Sequence, residues 1–180
     1  MGTSGPRCLV LVAGPVIGLH ELGIWEAFVT RYEVVNPQTV YDDEASFHSG
    51  VETTAERLTI DLSADVVVGR VEVAEAGLGA IADVSARFSG AIELHAGELE
   101  ALALLTMDAD YDEHVFCTGN GAALQGACLL GLAERCESVE GLVGYGGMSR
   151  EVPWPLSEAF IDKHKREGSA RAITGHGLKD

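Results

Sequence analysis

Positive charge is scarce in this chain. Twelve Lys and Arg residues face 28 Asp and Glu among 180 residues, a formal net charge of −16. A protein that holds nucleic acid by counterion release needs a basic stripe, and an anionic membrane repels a surface this acidic, so both classes are argued against. Long apolar runs are also missing. No stretch reaches the ~18 residues of a membrane-spanning helix. The run that follows Arg7 is short, is broken by Gly14-Pro15 and lacks a small-x-small cleavage site, so no signal peptide is expected. Pro6 stands where an N-myristoylation signal requires Ser or Thr. The chain therefore reads as cytoplasmic. The four cysteines, Cys8, Cys117, Cys128 and Cys136, form no CxxC pair and have no histidine at zinc spacing, which fits buried thiols in a reducing compartment. The six histidines offer no HExxH and no i,i+4 pair, and no Ser or Cys nucleophile elbow is present, which leaves hydrolase triads unsupported.

What is there is enough for a core. The length fits one globular domain and the apolar content is 47%, while aromatics supply only 6%. Val, Leu, Ile and Ala must do most of the packing. Residues 8–13 form a continuous apolar run, as in a parallel strand buried on both faces. An apolar stripe from Ile17 to Val29 predicts a helix opened by Pro15. A short strand over 32–35 is expected to stop at Asn36-Pro37, with a helix from Pro37 to about Phe47. Polar–apolar alternation at 59–62 and 70–73 predicts a β-hairpin-like insertion around 55–74. Helical patterns follow at 77–89 and 97–107, a buried strand at 115–118, a Gly/Ala-rich helix at 121–132, a helical turn at 138–142 and an amphipathic helix at 155–167. This order predicts a three-layer α/β/α sandwich with a mainly parallel central sheet. Residues 1–149 form the α/β domain. Residues 150–180 form a C-terminal helix and tail packed on it, with six basic residues against five acids.

Two motif-like stretches do not carry the chemistry that their letters suggest. Gly77 to Ala82 spells GxGxxA, but an alternating strand and Ala74-Glu75-Ala76 precede it, whereas a dinucleotide fingerprint needs a buried strand delivering the glycines directly into the helix. Asp108, Asp110 and Asp112 open like a calcium loop, but Glu113 and Gly119 occupy the positions that need Gly and Glu.

Four segments make sense jointly: LVAGPVIGLHELGIW at 11–25, NPQTVYDDEA at 36–45, HAGELEALAL at 95–104 and FCTGNGAAL at 116–124. In a parallel sheet the strand C-terminal ends and adjoining helix N-termini face one crevice, where ligands bind. Taken together, over residues 8 to 145, these segments resemble the PIN domain, the fold of many metal-dependent ribonucleases including type II toxins. The resemblance rests on the Gly97-Glu98-x-Glu100-Ala101 core and on Asn36-Pro37 through Val40 to Glu44. It implies a cluster of carboxylates holding Mg²⁺ or Mn²⁺, which activate water and stabilise charge during phosphodiester hydrolysis. It also implies RNA as substrate, a protein inhibitor of the antitoxin kind, and a homo-oligomer in which the apolar face around Trp154 is either an interface or core.

Carried onto this sequence, the resemblance places metal ligands at Glu44, Glu98, Glu100 and Asn120, with Glu44, Glu100 and Asn120 as the catalytic set. Two family acids are replaced: the first-strand Asp falls at Val12 and the later one at Asn120. Val12 cannot ligate a metal, and Asn120 offers only a neutral oxygen. Three readings follow. One is a nuclease with weak or no activity. The second is a non-catalytic RNA- or protein-binding module of the same fold. The third is a small-molecule-binding α/β protein using the glycine-rich crevice near Gly119 and Gly121.

Overall fold

The structure, a computed structural model, describes residues 8–49, 57–148 and 150–179. Four strands make one sheet: β1 (Cys8–Leu11), β2 (Glu33–Pro37), β5 (Val71–Ala74) and β6 (Val115–Cys117), in the order β5-β2-β1-β6, all parallel. In the central strand β1, Leu9, Val10 and Leu11 are each fully buried, as expected of a strand with helices over both faces. Helices complete a three-layer α/β/α sandwich. α5 (Ala96–Met107) packs on β2 and β6 and is backed by α4 (Leu78–Arg87). α2 (Trp25–Arg31) packs on β2, and α8 (Glu158–Thr174) lies along α6 (Gly121–Leu129). The remaining helices are α1 (Ala13–Glu21), α3 (Ser63–Val67) and α7 (Val139–Tyr145). Among the described residues, no helix is long and apolar enough to cross a membrane.

Several expectations need correction. The hairpin is present but begins earlier and overlaps the expected 55–74 only in its second strand: β3 (Phe47–Ser49) pairs antiparallel with β4 (Arg57–Thr59), and residues 50–56 between them lie outside the described residues. Residues 71–74 belong instead to the parallel sheet. Their alternation arises because β5 is an edge strand, with Val71 buried and Glu72 exposed. Residues 60–62 lead into α3, with Ile60 and Leu62 buried. The first helix divides into α1 and α2 because Gly23 adopts a left-handed φ of 66°, which closes α1. Asn36-Pro37 does not stop β2 early; both residues pair within the sheet, opposite Val73 and Ala74. After them the chain makes a π-helical turn, Val40–Glu44, rather than a helix reaching Phe47. The C-terminal helix starts at Glu158, capped by the Ser157 side chain, after a 3₁₀ turn at Trp154–Leu156.

Two polar side chains fix strand ends, Asn36 at the end of the sheet that bears the cleft and Arg135 at the other. The buried Asn36 Nδ2 donates to the Leu11 carbonyl at 2.9 Å, which ties β2 to the end of β1. Arg135 donates to the carbonyls of His114 and Leu105 at 2.9 Å each and to that of Tyr111, clamping the end of α5 to the loop that delivers β6.

Candidate functional site

The strand order reverses between β1 and β6: the chain proceeds from β1 to β2 and β5 on one side and returns to β6 on the other. Such a switch point opens a crevice at the strand C-terminal ends. Here it is a cleft of about 650 Å³. Its floor is Val12, Ala13 and Gly14 after β1, together with Thr118 to Gly121 after β6. Glu44 from the π-helical turn and His95 and Glu98 at the start of α5 form one wall. Pro153, Pro155 and Leu156 line the cleft beside Gly18 and Gly119, and Ile17, Gly18 and Glu21 of α1 complete it.

Glu98 is the anchor of the polar wall. It is 5% exposed, and its carboxylate accepts hydrogen bonds from Asn120 Nδ2 at 2.8 Å, the His95 N–H at 3.1 Å and Thr118 Oγ1 at 3.2 Å. Asn120 is held in turn as the N-cap of α6, where its Oδ1 accepts from the Ala122 N–H at 2.9 Å. This fixes its amide orientation, with the NH₂ group aimed at Glu98 and the oxygen on the helix. Glu44 Oε1 accepts from the Gly97 N–H at 3.0 Å. A Cβ on residue 97 would stand 2.5 Å from both Glu44 Oε2 and Val40 Cγ2, so glycine there lets the π-helical turn close on α5.

The expected site residues divide. Glu44, Glu98 and Asn120 converge on the cleft, and Val12 lies on its floor. Glu100 is not among the residues lining it. That carboxylate is 2% exposed and accepts from the Thr39 N–H at 2.9 Å and the Ala76 N–H at 3.2 Å, joining the chain after β2 to the chain after β5. Among the described residues, no three His, Cys, Asp or Glu side chains come together as a metal-holding group. Two carboxylates, a valine and an amide whose oxygen is already engaged make a poor donor set for a hard divalent ion.

Other residues of the cleft escape sequence reasoning. Thr118 and Glu21 lie inside the four quoted segments without standing out in them. Pro153 to Leu156 carry no motif at all, and only packing places them: Leu156 is buried and seats against Gly18, where a Cβ would collide with its Cδ1. The GxGxxA stretch does follow a parallel strand, β5, but added Cβ atoms at Gly77 and Gly79 would meet open space, so neither glycine serves a close approach. The acids of 108–112 form a 3₁₀ turn in which Asp108 Oδ1 accepts from the Asp110 N–H at 3.0 Å, and none of them lines the cleft. Burial drives Cys117 well above the ordinary thiol range and Cys136 to about 12, so both are inert thiols.

Comparison of the chain with protein families, with curated proteins and with solved structures returns no match. What is shown is the architecture, a three-layer α/β/α sandwich with a parallel sheet and an antiparallel hairpin, bearing a cleft at its switch point.

Proposed function

We propose that this protein is a non-catalytic ligand-binding module that takes a small molecule into the switch-point cleft, on a scaffold that resembles the PIN domain. The observation that carries this reading is the Glu98–Asn120 pair. In the PIN pattern that the chain resembles, both positions would be acids with oxygens free for cations. Here the amide NH₂ donates to the carboxylate at 2.8 Å, and Val12 supplies hydrocarbon where a third acid would stand. Hydrogen bonds within the protein therefore occupy carboxylate oxygens that would otherwise coordinate Mg²⁺ or Mn²⁺.

A cleft of this size, with an apolar wall and a few fixed polar groups, suits a compact ligand. The test is an RNA cleavage assay in Mn²⁺ with wild type and Glu44→Gln side by side. No cleavage that depends on Glu44 is expected. Cleavage by wild type that disappears in the variant would overturn the reading. It would favour a second one, a weak Mg²⁺- or Mn²⁺-dependent ribonuclease with an inhibitory protein partner, which the surviving pair Glu44 and Glu98 supports. Restoring both acids with Val12→Asp and Asn120→Asp is expected to raise Mn²⁺ affinity, read as a metal-dependent gain in Tm.

A further inference from the structure

We infer that the ligand of this cleft is a small organic cation, an amine or guanidine on an apolar body; the inference rests on the ligand-binding reading above. Three carboxylates line the cleft, Glu21, Glu44 and Glu98, and among the described residues no lysine or arginine does. An anionic ligand would enter against that charge and against a molecule carrying −16 overall.

Helix N-termini are the counter-argument, because α1, α5 and α6 all start at the cleft and each such end carries about half a positive charge. The protein has already used much of this potential on its own groups. The α5 end donates from the His95 and Gly97 N–H groups to Glu98 and Glu44. The α6 end donates from Ala122 to the Asn120 side chain. α1 has Pro15 in its first turn, which removes a donor. Against what is left stand the carboxylates of Glu44 and Glu98 on the same wall, with no lining lysine or arginine among the described residues.

Glu44 has one oxygen on Gly97, and its Oε2 has no hydrogen-bond partner among the described residues. Glu44 lines the cleft, and we assign this oxygen as the acceptor for the ammonium. Part of the lining, Leu156 with Pro153 and Pro155, is hydrocarbon. A hydrated metal ion gains nothing from such a lining, whereas the body of an amphiphilic amine buries against it.

The experiment compares three probes of equal length, hexylammonium, hexanol and hexanoate, on the full chain. Tm and the fluorescence of Trp154, which is 57% exposed between the two lining prolines, report binding. Hexylammonium is expected to bind about tenfold tighter than either of the others and to lose about tenfold in Glu44→Gln. The amide of that variant keeps an oxygen for Gly97, and circular dichroism checks its fold. Equal or tighter binding of hexanol or hexanoate would overturn the cation inference and leave the ligand-binding reading standing. A response to none of the three up to tens of millimolar would also overturn it. Glu44-dependent RNA cleavage strikes the underlying reading instead, so the two failures are told apart.

Discussion

Glu98 and Glu100 stand two residues apart on α5, both almost fully buried, at 5% and 2% exposure, and they serve opposite faces of the helix. Glu98 meets side chains, Asn120 and Thr118, together with the N–H of its own N-cap, and it borders open space. Glu100 meets only backbone, the N–H groups of Thr39 and Ala76, in the joint between two segments that follow parallel strands. In sequence they look like one acidic motif. In the fold one belongs to a cleft and the other to the frame that holds the cleft's wall in place. A carboxylate bonded to side chains at a cavity can exchange partners with a ligand, whereas one bonded to two main-chain donors cannot be released without opening the structure.

The sharpest way to separate them is to remove each. Glu100→Ala leaves two N–H donors without their acceptor and is expected to cost about 3 kcal/mol of unfolding free energy, read in urea. Gly97→Ala forces a methyl group toward Glu44 Oε2 and Val40 and is expected to cost about 2 kcal/mol while pushing the π-helical turn away from α5. Glu98→Gln keeps the shape and most partners, so its stability loss is expected near ~1 kcal/mol, with its main effect on hexylammonium binding. If Glu98→Gln destabilises as much as Glu100→Ala, the division of labour on α5 is wrong.

The expected effect that is smallest at neutral pH lies away from both residues, where His20 stacks on Trp25 at 4.8 Å and sits 5.3 Å from His48. Burial, then the neighbouring His48, lowers its pKa to about 4 against the opposing pull of Asp65. The folded state therefore resists a proton that the unfolded chain accepts below about 6.5. Stability is unaffected above that pH and falls as pH drops from about 6.5 toward 4. His20→Phe is expected to flatten this slope relative to wild type in urea titrations between neutral pH and the lowered pKa, and an unchanged slope would exclude His20 as its source.

Much of the fold is legible where a single signal dominates. The apolar runs of β1 and β6 predict buried parallel strands, and the Gly/Ala-rich stretch from 121 predicts α6, which starts there. β5 reads as part of a hairpin because an edge strand alternates like a hairpin strand, and only its pairing with β2 distinguishes them. The site is legible in part. Glu44, Glu98 and Asn120 stand out by motif and do converge. The placement of Glu100 depends on main-chain groups 61 and 24 residues away, which no local pattern encodes. The wall at 153–156 depends on Leu156 fitting over Gly18, a match of shapes between distant parts of the sequence.

That match also sets an order of assembly. The cleft draws on residues 12–21, 44, 95–98, 118–121 and 153–156, so its boundaries have some of the greatest sequence separations in the molecule. Loop-closure entropy makes such distant contacts late ones. During synthesis the sheet and the helices up to α7 are complete in sequence before Leu156 is made, and until that residue docks the switch point lacks its apolar wall. Completion of the cleft is thus among the last events of folding, and a chain arrested before that step would lack the apolar lining that the proposed ligand needs.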